Sequence, residues 1–98
     1  MDCNLFLLHL KEFVSRHGIS EDIPSRIDRL FREATELDEA EGDEAIRKEA
    51  ADVAIIAFHI MMLAGSANPL YTMYQKLQEV AAREKYQALA EKVKSAQI

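Results

Sequence analysis

The chain contains few residues of the kinds that cross-link, break or bend a polypeptide. It has one cysteine, two prolines and three glycines in 98 residues. A lone Cys3 excludes an internal disulfide and offers no metal-binding spacing, so we expect a reducing, cytoplasmic setting. Together with 49% hydrophobic and 30% charged residues, the scarcity of glycine and proline is typical of a globular chain.

A positive charge balance and a long apolar run are also missing. The net charge of -5 argues against duplex nucleic acid or an anionic membrane surface as the main partner. Residues 53–64 are apolar except for His59, but this run is too short to span a bilayer. Charged residues interrupt the apolar residues of 1–14, so we expect no secretory signal there.

Hydrophobic periodicity and turn residues predict four helices, with no strand pattern and no internal repeat. We expect Gly42 to end the second helix and Asp43 to cap the third. A chain of this length supports one core, so we predict a single all-α domain over 1–98, an antiparallel four-helix bundle. Its exposed apolar surface predicts a homo-oligomer.

The first three predicted helices run from about Asp2 to His17, from Pro24 or Ser25 to Glu41, and from Glu44 to Ala64. The fourth begins at Pro69 after an Asn68 cap. From about Arg83 through Ile98 it is followed by a more polar tail.

Two pairs of acidic residues flank the polar turn between the second and third predicted helices. They are Glu33-x-x-Glu36 before the turn and Glu49-x-x-Asp52 after it. Residues three apart lie on one helix face, so each pair projects two carboxylates in one direction. In an antiparallel hairpin, Glu36 would lie level with Glu49 and Glu33 with Asp52, because both pairs have the same centre in the chain.

Four carboxylates at two matching levels repel one another unless a cation binds between them. Two carboxylates about 4 Å apart repel by roughly 4 kcal/mol at an effective dielectric constant of about 20. Hard divalent cations relieve this repulsion, and Mg²⁺ bound to carboxylates keeps waters and phosphate oxygens among its ligands. The residues themselves therefore predict a Mg²⁺ site, with Mn²⁺ as the alternative ion, that handles a phosphorylated ligand.

The segment Glu33-Ala-Thr-Glu36, twelve intervening residues and Glu49-Ala-Ala-Asp52 resembles the motif of the MazG-like superfamily of all-α nucleoside triphosphate pyrophosphohydrolases. The resemblance covers about residues 25–86. It implies Mg²⁺-dependent cleavage of a ribo- or deoxyribonucleoside triphosphate to the monophosphate and pyrophosphate by a dimer or tetramer. All four acids would be metal ligands and catalytic residues, and one glutamate would orient or deprotonate the attacking water. The role could be removal of damaged nucleotides or control of the nucleotide pool.

Substrate-binding candidates follow the acidic motif. Members of the superfamily often carry Lys, Asn and Arg on the last helix, and here Lys76, Val80 and Arg83 occupy that pattern, so the Asn is missing. Lys76 and Arg83 lie on one helical face and are expected to bind the phosphates. His59 lies on the same helix stripe as Asp52 and is a third candidate; its alternative role is that of a core histidine. The alternative enzyme is one like the related phosphoribosyl-ATP pyrophosphohydrolases, which share the Glu-Ala-Ala-Asp segment. Members of that family usually place a His one turn after the motif Asp, whereas His59 comes seven residues after Asp52, so the resemblance to them is the weaker one.

Two plainer interpretations of these residues remain. The acids could form ordinary surface pairs with basic residues four positions away, which contribute little to stability. The amphipathic helices could also belong to a non-catalytic interaction or adaptor module that needs no metal. The candidate surface pairs are Arg29 with Glu33, Arg32 with Glu36 and Lys48 with Asp52.

Overall fold

The computed structural model describes residues 2–96, and in this range it contains four α-helices and no strand. The all-helical prediction is therefore confirmed. None of these helices combines the length and apolar character needed to cross a membrane. Residues 97 and 98, into which the predicted polar tail extends, lie outside the described range. The helices are α1 (Cys3–Arg16), α2 (Ile23–Glu39), α3 (Asp43–Leu63) and α4 (Pro69–Ala96).

The helices fall into two compact units, one that ends at Ala67 and one that begins at Asn68. In the first unit the principal helix contact is between α2 and α3. These helices are joined by residues 40–42 alone, and such a short link forces them to run antiparallel. The long-range hydrogen bond from Arg26 Nε to His59 Nδ1, 3.0 Å in length, connects the far ends of this hairpin.

The ends of α2 and α3 differ in how they are capped. The Asp22 carboxylate accepts a hydrogen bond from the Ser25 N–H at the start of α2, which satisfies a backbone donor of the first turn. The prediction that Asp43 caps α3 is wrong. Gly42 is the cap residue, with φ 88° and ψ 149°, and Asp43 is already helical. Ala40, not Gly42, follows the last residue of α2.

The apolar core of the first unit lies between α1 and the hairpin. Leu7, Leu10 and Val14 of α1 are buried, as is Ile56 of α3. The Phe6 ring of α1 meets the Phe58 ring of α3 edge to face, with centroids 5.7 Å apart, an arrangement that aromatic pairs prefer.

The second unit is the long helix α4. The Asn68 side chain accepts hydrogen bonds from the Leu70 and Tyr71 N–H groups, at 3.1 and 3.3 Å. The predicted Asn68 cap is therefore confirmed, and α4 continues beyond Arg83 to Ala96. Leu70 and Leu77 are exposed on this helix.

Candidate metal centre

Three of the four predicted acidic ligands come together. Glu33 and Glu36 of α2 and Glu49 of α3 each place one carboxylate oxygen so that the three oxygens lie within 4.8 Å of one another. We call this group the glutamate trio. Two of its members share one face of α2 because they are three residues apart, and the antiparallel hairpin brings the third across from them.

Glu33 is the most buried member of the trio, with 4% of its surface exposed. Its Oε1 accepts an ion-paired contact of 2.7 Å from Arg29 Nη2, one helical turn earlier. Its Oε2 is buried and has no hydrogen-bond partner. A buried carboxylate oxygen without a partner costs about 1–3 kcal/mol or more, so Glu33 is only half satisfied by the protein.

Glu49 shows the same deficiency from the other helix. Its Oε2 is buried and lacks a hydrogen-bond partner. Two orphaned carboxylate oxygens on two different helices therefore belong to one group of acids. Oxygens on opposite sides of a Mg²⁺ ion are about 4.2 Å apart, given bonds of 2.0–2.1 Å. The three oxygens of the trio lie within 4.8 Å of one another, which is close to that span, so the donor set fits a hard divalent cation.

Asp52 is not part of the trio. It is exposed and lines a cavity of about 530 Å³ together with Glu33. The predicted level match between Glu33 and Asp52 thus brings both residues to one cavity without bringing their carboxylates into one close group. The role of Asp52 as a metal ligand stays a prediction.

The surface-pair interpretation applies to some of these acids only. The Arg29–Glu33 pair forms, but Glu33 is buried rather than at the surface. Lys48 pairs with Glu44 at 3.1 Å instead of with Asp52. Across residues 2–96, no ion pair joins Arg32 to Glu36. Ordinary surface pairing therefore does not account for the trio.

His59 is a buried histidine held by an arginine. It is 3% exposed, and its Nδ1 accepts the hydrogen bond from Arg26 Nε. Burial lowers the pKa of His59 below its ordinary value, the charge of Arg26 lowers the pKa further, and the Glu21 carboxylate acts in the opposite direction. A neutral imidazole is the form that accepts this bond. Substrate binding by His59 stays a prediction. The burial of His59 and its hydrogen bond with Arg26 are what the alternative role of a core histidine requires.

The other two predicted substrate-binding residues belong to the second unit. Lys76 and Arg83 are exposed on α4. The Lys76 Nζ lies 3.5 Å from Glu79 Oε1, a solvent-exposed contact of little energetic weight. Their role in binding phosphate stays a prediction.

Sequence reasoning missed Arg26 and Arg29 as site residues. Both line the cavity that contains Glu33 and Asp52. The signal was their spacing, since Arg26, Arg29 and Glu33 succeed one another at three and four residues and so share one face of α2. Arg29 had been considered only as a surface partner.

Comparison with known proteins identifies no relative: no family model matches the chain, and no curated protein or solved structure matches it at a significant level.

Proposed function

We propose that the protein is a Mg²⁺-dependent nucleoside triphosphate pyrophosphohydrolase of the MazG-like type, which cleaves a ribo- or deoxyribonucleoside triphosphate to the monophosphate and pyrophosphate. The observation that carries the proposal is the glutamate trio, in which two buried carboxylate oxygens lack any protein partner. A polyphosphate substrate suits such a site because Mg²⁺ bound to carboxylates retains a preference for phosphate oxygens.

The glutamate trio would hold the ion, with Asp52 as a further ligand from the cavity side. A bound Mg²⁺ supplies positive charge that offsets the charge developing on the phosphoryl oxygens. Glu33 is fixed by Arg29, so its second oxygen keeps one direction. Mn²⁺ is an alternative ion because it favours the same all-oxygen ligands.

The protein's own groups would also handle the attacking water. Glu36 is the exposed member of the trio, so a water can reach it. We propose that the Glu36 carboxylate is the general base that accepts a proton from this water. The water oxygen forms a bond to the α-phosphorus as the bond from that phosphorus to the bridging oxygen breaks. Pyrophosphate leaves with the bonding electron pair, and the nucleoside monophosphate remains. Lys76 and Arg83 would bind phosphates of the substrate.

A homo-oligomeric four-helix bundle, dimeric or tetrameric, completes the proposal. Large apolar side chains stand exposed on both units, among them Phe31 of α2 and Leu77 of α4. Exposed apolar side chains at this density are typical of surfaces that a partner covers. Sedimentation of the purified chain measures the state, and a monomer at micromolar concentration would contradict this part of the proposal.

The function is tested by a screen for pyrophosphate release across ribo- and deoxyribonucleoside triphosphates, both common and modified, with Mg²⁺. We expect release from at least one nucleotide, loss of release with a chelator, and loss in the Glu36→Gln variant. The matched control is Glu39→Gln, an exposed acid near the end of the same helix and outside the trio. Release from no nucleotide with either Mg²⁺ or Mn²⁺ would favour the non-catalytic interaction module.

A further inference from the structure

The cavity beside the glutamate trio has two arginines in its wall. Arg26 and Arg29 line the same volume of about 530 Å³ as Glu33 and Asp52. The two arginines are three residues apart on α2, so they share one helix face. The remaining wall is apolar and includes Ile55 and Phe13. A single cavity thus contains one member of the glutamate trio, Glu33, and a pair of guanidinium groups.

Each arginine is anchored by one contact that leaves most of its donors available. Arg29 uses Nη2 to contact Glu33 Oε1 at 2.7 Å. Arg26 uses Nε to donate to His59 Nδ1 at 3.0 Å. A guanidinium carries five N–H donors in one plane. Both groups are therefore held in position while their other donors can serve a ligand in the cavity.

The charge around Arg26 is not balanced by its anchor. Its partner His59 is a neutral acceptor, and the next arginine lies on the same face. The pKa of Arg26 falls below its ordinary value because it is partly buried and because the charge of Arg29 is near. An anion bound between two neighbouring guanidinium groups offsets the repulsion between their positive charges. The planar set of N–H donors of arginine matches the oxygens of a phosphate group.

We propose that Arg26 and Arg29 form a phosphate subsite in this cavity, next to the glutamate trio, which takes the leaving pyrophosphate portion of a polyphosphate ligand. The subsite deepens the proposed function and rests on it for the identity of the ligand. It is separate from the phosphate contacts expected of α4. His59 is a positioning residue, because its Nδ1 holds Arg26 by the hydrogen bond from Nε and leaves the two outer nitrogens of Arg26 for a ligand.

The test measures binding of inorganic pyrophosphate to the full chain by isothermal titration calorimetry, with Mg²⁺ and again with a chelator. We expect binding with Mg²⁺ in the unmodified protein and a loss of about tenfold or more in affinity in Arg26→Gln and in Arg29→Gln, since each removes charge-assisted hydrogen bonds. The matched control is Arg32→Gln, which removes the same charge from an exposed position on the same helix, outside the cavity lining. Its affinity should stay within about twofold.

Two further variants separate binding from folding. Arg29→Lys keeps a cation near Glu33 but lacks the planar fork, so we expect a stable protein with weakened pyrophosphate binding. His59→Gln offers an amide oxygen to Arg26 and should retain binding, whereas His59→Leu removes the acceptor and should weaken binding. Equal affinity for pyrophosphate in His59→Gln and His59→Leu would overturn the positioning role of His59. It would mean that binding does not depend on a hydrogen-bond acceptor at this position.

Failure of the subsite and failure of the metal site give different results. If Mg²⁺ binds the unmodified chain but pyrophosphate binds Arg26→Gln and Arg29→Gln as tightly as Arg32→Gln, the subsite is overturned and the metal site stands. If Mg²⁺ does not bind, yet pyrophosphate binding still depends on the two arginines, the subsite stands and the pyrophosphohydrolase proposal fails. No binding of pyrophosphate to the unmodified chain under either condition overturns the subsite.

Discussion

Replacement of Glu49 by Gln should stabilise the protein in the absence of divalent cations and destabilise it when Mg²⁺ is added. The change keeps the size of the side chain and removes one negative charge from the glutamate trio. Without a divalent cation the variant should be more stable than the unmodified protein, because repulsion within the trio falls. With saturating Mg²⁺ it should be less stable, because the ion loses a charged ligand.

The size of the first effect follows from the spacing of the oxygens. Two charges no more than 4.8 Å apart repel by at least about 3.5 kcal/mol at an effective dielectric constant near 20 and by at least about 0.9 kcal/mol in bulk water. Glu49 is half-buried, and Arg29 offsets part of the charge on Glu33. We therefore expect a gain of about 1–2 kcal/mol in the free energy of unfolding, or roughly 5–15 °C in Tm for a chain of this size. The new amide can also donate to the orphaned oxygen of Glu33.

The second effect follows from mass action. Mg²⁺ at about one hundred times its Kd stabilises a native state by roughly 2.7 kcal/mol when the unfolded chain does not bind it. The assay is urea denaturation followed by circular dichroism, at zero Mg²⁺ with a chelator and at saturating Mg²⁺. The matched control is Glu44→Gln on the same helix, which loses only an exposed contact with Lys48 and should change stability by less than about 1 kcal/mol under both conditions.

Two results would refute this reasoning. A Glu49→Gln variant that is destabilised without cation would mean that the carboxylate has a favourable role in the apo fold. An equal Mg²⁺ response in Glu49→Gln and Glu44→Gln would remove Glu49 from the metal site. The order of stabilities under the two conditions is thus the diagnostic quantity, since a general effect of the substitution on folding would have one sign in both.

Three further predictions concern single residues. Gly42→Ala should lower the free energy of unfolding by about 1–3 kcal/mol in urea denaturation, because φ 88° with ψ 149° disfavours other residues while no atom lies within 4 Å to clash with a Cβ; an unchanged midpoint would contradict this. His59 has a lowered pKa in the fold, so the unfolded chain binds the proton first and stability should fall as the pH drops below about 6.5. That loss should be smaller in His59→Gln, and identical pH profiles of Tm would exclude His59 as its source. Asp52→Asn should abolish pyrophosphate release yet change Tm little, since Asp52 is exposed; full activity would remove it from the site.

Local spacing predicted the helices and two of the three members of the glutamate trio. Glu33 and Glu36 share a face because they are three residues apart, a relation that holds in any helix. Glu49 could be added because it is as far from the centre of the turn as Glu36 is. The same symmetry failed to bring Asp52 into the trio. An equal distance from the turn fixes the level of a side chain along the helix but not the direction in which it points, and Asp52 lines the cavity outside the trio.

The rest of the site depended on burial and on contacts between distant residues. The Arg26–His59 hydrogen bond joins positions 33 residues apart, and nothing local in the sequence distinguishes Arg26 from a solvated arginine. Arg26 and His59 have the same midpoint in residue number as Glu36 and Glu49. The register of the two helices could therefore be inferred from the sequence, but the hydrogen bond between Arg26 and His59 could not. The start of α3 was missed because a helix can begin after a glycine without any side-chain cap.

The link of residues 40–42 divides the ligand set between two helices. Neither α2 nor α3 alone carries more than two of the three converging glutamates, so an isolated helix offers a weaker chelating set than the closed hairpin. At the proposed metal site, closure of the hairpin and capture of the ion would consequently be one coupled equilibrium. A chain that binds the ion as proposed would gain this affinity during synthesis only after α3 has docked on α2, and the ion would in turn stabilise the contact between these two helices.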